Sequence, residues 1–177
     1  MSFGEAIKSV FSKYATFSGR ARRSEFWYFF LFNFLVSFVL GLIPFLSWVS
    51  GLWALAVLIP TLAVTVRRFH DIGKSGWNYL LFLIPSLLYL GYIIYFAVSV
   101  VVPLTQSGFD ASNMQAVMDL LMANKTSLLI IGILELLSVI ALIVWIVWMA
   151  RDSEPGVNKW GPNPKEMPNN DPEATIS

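Results

Sequence analysis

The longest uncharged segment of the chain constrains its fold more than any other feature. From Phe26 to Val66, 41 consecutive residues include no Lys, Arg, Asp, Glu or His. A helix needs about 20 apolar residues to cross a hydrocarbon core of about 30 Å, so this segment is long enough for two crossings. Pro, Ser, Gly and Trp cluster between Pro44 and Gly51, which predicts a turn there. The sequence therefore predicts a membrane hairpin with helices over residues 25–44 and 51–69.

Two further apolar segments complete the predicted membrane domain. Trp77–Leu104 contains no charged residue, and Ser127–Met149 contains one, Glu135. Each segment is long enough for one crossing. The composition also indicates a membrane protein, since 13% of the 177 residues are charged, whereas a soluble domain has about 25% charged residues. We therefore predict an all-α polytopic membrane protein with four transmembrane helices arranged as two hairpins.

The first 16 residues form a separate predicted element. Their apolar side chains, among them Phe3, Val10 and Tyr14, recur at the spacing of one helical face. This pattern predicts a short amphipathic helix on the cytoplasmic side, over residues 1–16. We predict that this helix lies at the membrane interface. The alternative is that it packs on the rest of the protein.

The membrane domain is predicted to cover residues 17–164, with a long external loop at 103–126. Methionines and other apolar residues of this loop recur at helical spacing, which predicts a second amphipathic helix capped by Asp110 or Ser112. Residues 165–177 are rich in Pro and Asn and predict a disordered tail.

Basic residues are distributed unevenly between the two sides of this topology. Of the twelve Lys and Arg residues, eleven lie before the first helix, between the second and third helices, or after the fourth. Lys125 is alone on the other side. Because Lys and Arg of short loops remain in the cytoplasm, both termini are predicted to be cytoplasmic.

Three polar motifs fall on this predicted cytoplasmic face. They are FSGRARRSEFW at residues 17–27, RRFHDIGKSGW at 67–77 and GVNKWGPNP at 156–164. In this order the motifs resemble domain-of-unknown-function family 805, over residues 14–164. The resemblance implies an integral protein of the bacterial inner membrane and no catalytic residue, because the biochemical role of the family is not established. Relative to shorter members, the external loop resembles an insertion.

The basic residues of the motifs are candidate ligands for an anion. Arg presents a planar fork of donors that suits phosphate, so the sequence predicts a basic vestibule that binds anionic lipid headgroups or a protein partner. The alternative is that these arginines only anchor the topology and extend toward the interface. The candidate residues are Arg20, Arg22, Arg23, Glu25, Arg67, Arg68, His70, Asp71, Lys74 and Asn158.

Spacing also predicts how these side chains pair. Arg22 and Glu25 are three residues apart, and the hairpin brings Glu25 to the depth of Arg67 and Arg68, so both pairings are open. Adjacent helical residues point about 100° apart, which disfavours a catalytic pair of His70 with its neighbour Asp71. We expect these two residues to cap the helix and contact the arginines. The third motif is expected to fold back over the other two.

Glu135 is the one ionisable residue inside the predicted fourth crossing. A carboxylate at the centre of a bilayer costs about 2.5–3.5 kcal/mol on insertion scales and normally faces other protein groups. Side chains at matching depth on the other helices are Ser37, Thr61 and Tyr92. A structural hydrogen bond to one of these, and a relay in a small oligomeric transporter or channel, are both open.

Composition argues against several functional classes. The chain has no Cys and one His, so thiolate chemistry and a multi-histidine metal site are excluded. Catalytic spacings such as HExxH or GxSxG do not occur. We therefore predict a non-enzymatic protein without cofactor or metal. Membrane lipids, a second copy of the chain or another membrane protein are its predicted partners, and nucleic acid is not, because no polar folded platform would present the basic residues.

Overall fold

The regular elements of the computed structural model, which describes residues 1–43, 45 and 47–166, are helical. A 3-10 turn at Gly76–Tyr79 precedes α4, and a π-helical turn at Ala97–Val101 joins α4 to α5. The helices are α1 (Phe3–Ser12), α2 (Arg23–Gly41), α3 (Ser47–Asp71), α4 (Leu80–Phe96), α5 (Val102–Gln106), α6 (Met114–Ala123) and α7 (Lys125–Ala150). Pro44 and Leu46 of the predicted turn and residues 167–177 of the predicted tail lie outside the described residues.

Four helical segments are long and apolar enough to cross a membrane. These segments are Arg23–Gly41, Trp48–Asp71, Gly76–Gln106 and Lys125–Ala150. They confirm the predicted all-α fold with four transmembrane helices. The predicted boundaries differ by a few residues: α2 is Arg23–Gly41 where 25–44 is predicted, and α3 is Ser47–Asp71, ending inside the second motif, where 51–69 is predicted.

The external loop contains the predicted helix, α6, but its predicted cap is wrong. Asn113 is the N-cap, because its side chain accepts hydrogen bonds from the amides of the second and third helical residues, Gln115 and Ala116. Asp110 instead accepts hydrogen bonds from the amide and the hydroxyl of Ser112.

The chain divides into two compact units. The first unit contains Met1–Asn78 and the chain from Val147 onward, and therefore holds α1, the α2–α3 hairpin and the C-terminal segment. The second unit is Tyr79–Ile146, with α4, α5, α6 and most of α7. All three motifs belong to the first unit.

The helix α1 packs on α2 within the first unit. Ala6 and Val10 are fully buried, and the ring of Phe11 meets the edge of Phe29 with 5.7 Å between the ring centroids. The alternative of packing on the protein is therefore present in the structure, and the predicted position of α1 at the membrane interface stays a prediction.

A proline inside α3 explains a hydrogen bond made by Tyr14, which lies two residues after the end of α1. Pro60 has no amide hydrogen, so the carbonyl of Ala56, four residues earlier, lacks its helical donor. The hydroxyl of Tyr14 donates a hydrogen bond to that carbonyl at 2.6 Å. Membrane helices tolerate proline where a neighbouring group satisfies the freed carbonyl. Tyr14 therefore repairs the interruption in α3.

Replacing Tyr14 with phenylalanine removes this donor and is expected to lower the free energy of unfolding by about 1 kcal/mol. In a Pro60→Ala background the amide of residue 60 satisfies the Ala56 carbonyl, so the same replacement should cost much less. Unfolding of the four proteins in detergent completes the double-mutant cycle. Equal costs in both backgrounds would show that Tyr14 does not act through this carbonyl.

Candidate functional site

Five charged side chains of the first two motifs are buried together where α2 begins and α3 ends. Each has 7% or less of its surface exposed. Charges in such an environment need partners of opposite charge or hydrogen bonds, since isolated burial costs several kcal/mol or more. The three guanidinium groups outnumber the two carboxylates. These residues, which we name the arginine cluster, are Arg20, Glu25, Arg67, Arg68 and Asp71.

Asp71 joins two arginines that are distant in the sequence. Its Oδ1 accepts a hydrogen bond from Arg20 Nε at 3.1 Å, and its Oδ2 accepts one from Arg68 Nη1 at 2.5 Å. The hydroxyl of Ser153 donates to Oδ2 at 2.7 Å. This carboxylate therefore holds the end of α3, the segment before α2 and the C-terminal segment together, and it confirms the predicted contact of Asp71 with the arginines.

Glu25 pairs with Arg67 across the α2–α3 hairpin. Glu25 Oε1 lies 3.2 Å from Arg67 Nη1 and also accepts a hydrogen bond from the Ser9 hydroxyl at 3.1 Å. The buried Arg67 Nη2 has no hydrogen-bond partner among the described residues. The predicted pairing of Glu25 with Arg67 is confirmed, and the alternative with Arg68 is wrong because Arg68 turns toward the carboxylate three residues later on its own helix.

Arg22 does not form the pair with Glu25 that their spacing predicts. Its guanidinium donates to the carbonyl of Pro164, at the end of the third motif. An acceptor from a distant segment has replaced the local one. The spacing of three residues brings two side chains within reach but does not determine which acceptor is better placed.

The C-terminal segment supplies carbonyl acceptors for the excess guanidinium charge. Arg68 donates from Nη2 and Nε to the carbonyl of Met149, at 3.0 and 3.1 Å. Arg20 donates to the carbonyls of Glu154, at 2.5 Å, and Gly156, at 2.8 Å. These contacts confirm that the third motif folds back over the first two.

The ring of His70 is held between two of the motifs. The indole of Trp160 stacks on it with 4.5 Å between the ring centroids, and Asn158 Nδ2 donates to the His70 carbonyl at 3.0 Å. His70 Nδ1 lies 3.1 Å from the carbonyl oxygen of Gly19. His70 and Asp71 therefore contact different groups, as their angular separation on the helix predicts. Within the described ranges, no group of three or more His, Cys, Asp or Glu side chains could hold a metal ion.

Other cations of the first unit remain accessible. Arg23, the first residue of α2, and Arg151, directly after α7, are exposed. Lys74 is half-buried, with its ammonium group 4.1 Å from the centroid of the Trp148 ring. These side chains lie at the ends of membrane-spanning helices, whereas the arginine cluster is enclosed by protein.

Two tryptophans accompany these cations. Trp27 Nε1 donates to the carbonyl of Met149, the residue after Trp148. The hydrogen bond from Lys165 lowers the pKa of the exposed Asp152 carboxyl, and the nearby positive charge of Arg23 adds to this effect. We name the following five residues the cation–tryptophan belt: Arg23, Trp27, Lys74, Trp148 and Arg151.

The sequence-based candidate list omits three members of this belt. Trp27, Trp148 and Arg151 are not in it, although Trp at the ends of apolar segments is typical of the membrane–water interface. Conversely, Arg20, Arg67 and Arg68 are among the residues predicted to bind an anion. In the structure they donate hydrogen bonds to buried carboxylates of the protein itself. Their predicted role in binding an anion stays a prediction.

Glu135, in the second unit, lines an open pocket with Tyr89, Ser86 and Ser138. None of these three neighbours is among the side chains predicted at its depth. The roles predicted for Ser37, Thr61 and Tyr92 stay predictions.

Comparison with known proteins identifies relatives. A family model described as a protein of unknown function (DUF805) matches residues 14–162. Inner membrane protein YhaI of Escherichia coli strain K12 is 40% identical over 93 residues, which cover 50% of this chain and 79% of that protein. Inner membrane protein YhaH of the same strain is 40% identical over 94 residues, covering 48% and 75%. No solved structure matches the chain.

Proposed function

This chain belongs to the DUF805 family, and from that premise we propose that it is a non-enzymatic protein that binds anionic phospholipid headgroups through its cation–tryptophan belt. It is a multi-pass inner-membrane protein, since its relatives are named inner membrane proteins and four of its own helices are long and apolar enough to span a membrane. The ligand and the binding surface are the proposed part.

The contrast between buried and accessible cations carries the proposal. Arg20 and Arg68 direct their donors to carboxylates and to carbonyls of the C-terminal segment. Arg23 and Arg151 are exposed at helix ends beside tryptophans. Tryptophans at such positions lie at the membrane interface, where the phosphate groups of lipids are the nearest anions. The arginine cluster supports this surface by holding the C-terminal segment, and with it Arg151, against the hairpin.

The proposed orientation places the belt on the cytoplasmic leaflet. Eleven of the twelve Lys and Arg residues lie on the belt side of the predicted topology, which supports cytoplasmic termini. Anionic lipids give that leaflet a negative surface potential, which attracts each nearby Lys or Arg by about 1 kcal/mol.

Thermal unfolding in mild detergent tests the proposal. A ligand that binds only the folded state raises its stability, so added phosphatidylglycerol should raise the Tm of the wild type more than added phosphatidylcholine does. The double variant Arg23→Gln/Arg151→Gln should lose this difference. Neither side chain belongs to the arginine cluster, so the variant should fold.

Lys125→Gln is the matched control. Lys125 and Arg151 lie at opposite ends of α7, which places them about 39 Å apart along the helix. The control should respond to phosphatidylglycerol as the wild type does. An equal response in the double variant, or none in the wild type, would reject the belt as the lipid site.

A further inference from the structure

One apolar side of α1 is left partly open. Phe3, Phe11 and Tyr14, the last of them two residues beyond the helix, are 40%, 37% and 40% exposed. On the side that packs on the α2–α3 hairpin, Ala6 and Val10 are fully buried. The helix therefore has one apolar side that contacts protein and a second apolar side, which we name the open side of α1.

The hydrogen bond of Tyr14 shows how deep the open side lies along the hairpin. Glu25 and Arg67 form an ion pair across the hairpin, and the residues between them carry no charge. The Tyr14 hydroxyl reaches the carbonyl of Ala56, eleven residues before Arg67 on α3. At a rise of about 1.5 Å per residue, that carbonyl lies about 16 Å from the ion pair, toward the middle of the membrane-spanning part of α3.

Phe11 lies at an intermediate depth. Its ring meets Phe29 and Phe32 edge to face, with 5.7 and 6.3 Å between the ring centroids. These two residues follow Glu25 by four and seven positions on α2, which places them about 6 and 10 Å from the ion pair. A spanning hairpin is surrounded by a hydrocarbon core of about 30 Å. The open side of α1 therefore lies at a depth where acyl chains surround the hairpin.

The other exposed side of α1 is polar. Glu5, Lys8 and Ser12 are exposed and lie within about 60° of one another around the helix. Phe3 points about 180° away from Ser12. A helix divided in this way lies in the plane of the membrane interface, with its apolar side among the acyl chains and its polar side toward headgroups and water.

The end of α7 packs on a different side of α3. Within the first unit, the ring of Trp148 meets Phe69 edge to face, with 6.2 Å between the ring centroids. Phe69 follows Ala56 by thirteen residues, which places it about 140° away around α3. As far as the first unit is described, α1 contacts only the helices α2 and α3. No helix of this unit therefore covers the open side.

We propose that the open side of α1 binds the acyl chains of the bilayer, in the leaflet next to the arginine cluster. This surface is separate from the cation–tryptophan belt, whose ligand is the headgroup. Tyr14 fits hydrocarbon because its hydroxyl, the polar group of the open side, is satisfied by the Ala56 carbonyl. The helix thus adds a membrane anchor that does not cross the bilayer.

The absence of cysteine from the chain allows single fluorescent labels to be placed on α1. Phe11→Cys puts an NBD label on the open side, and Ser12→Cys puts it on the polar side of the same turn. In phosphatidylcholine vesicles, lipids brominated on their acyl chains should quench the label at position 11 several-fold more than the label at position 12. Iodide on both sides of the vesicles should show the opposite preference. These vesicles contain no anionic lipid, so the result does not depend on the belt.

A third variant, Phe3→Cys, tests the other end of the open side. It guards against a local disturbance from replacing Phe11, and brominated lipid should quench its label more than the label at position 12. Equal quenching by brominated lipid on the open and polar sides would overturn the proposal. So would labels at positions 3 and 11 that neither brominated lipid nor iodide reaches, because protein would then cover the open side.

Discussion

Replacing Asp71 with asparagine is expected to lower the free energy of unfolding by about 3–5 kcal/mol, because it leaves buried charge without its partner. The Asp71 carboxylate is the acceptor for both Arg20 and Arg68, and all three side chains are almost completely buried. Asparagine has nearly the same shape but no charge. Its amide group also places a donor where Ser153 or an arginine now donates.

Chemical or thermal unfolding in detergent measures this loss. Asp152→Asn is the matched control, since Asp152 is exposed and pairs with the exposed Lys165. Exposed ion pairs contribute little, so the control should leave stability nearly unchanged. Similar losses in both variants would contradict the structural role assigned to Asp71. The Asp71 variant should also release the C-terminal segment, which limited proteolysis after Ala150 would detect.

Removing the carboxylate of Glu25 is expected to have the second-largest effect, a loss of about 3 kcal/mol for Glu25→Leu. Its partner Arg67 is buried, and in the part of the chain that the structure describes Arg67 Nη2 already lacks a hydrogen-bond partner. With Glu25 replaced, that guanidinium would be buried with even fewer acceptors. The double variant Glu25→Leu/Arg67→Met removes both charges. Its loss of unfolding free energy should be smaller than the sum of the losses in the two single variants.

A double-mutant cycle measures the coupling, which we expect to exceed about 0.5 kcal/mol. Glu25 with Arg68 is the matched control pair. Arg68→Met removes an equally buried arginine whose carboxylate partner is Asp71, so its loss should be close to additive with that of Glu25→Leu. Equal coupling in both cycles would contradict the assignment of partners.

The sequence predicts the spanning helices and one buried ion pair because both depend on position along the chain. Runs without charge determine which segments can cross a membrane. A hairpin also places Glu25 at the depth of Arg67 and Arg68, which is enough to predict a contact with one of the two. The partner of Arg22 could not be predicted in this way, because it is the backbone carbonyl of Pro164. Every residue has a carbonyl, so sequence gives no sign of which one will be near.

The surroundings of Glu135 show a second limit. Depth along a helix follows from a rise of about 1.5 Å per residue, and it leads to Tyr92, whereas the tyrosine that lines the pocket with Glu135 is Tyr89, one turn away. The direction of a side chain changes by about 100° per residue and depends on how the helices pack. The contact of Tyr14 is similar, since Pro60 reveals an unsatisfied carbonyl at Ala56 but not which group reaches it.

The number of phosphatidylglycerol molecules that remain bound in native mass spectra tests most directly whether the accessible cations, rather than the arginine cluster, hold anionic lipid. The wild type and Lys125→Gln should retain the same number. Arg23→Gln/Arg151→Gln should retain fewer, with its folded charge-state distribution unchanged. A double variant that retains as much phosphatidylglycerol as the wild type would contradict the proposed lipid site.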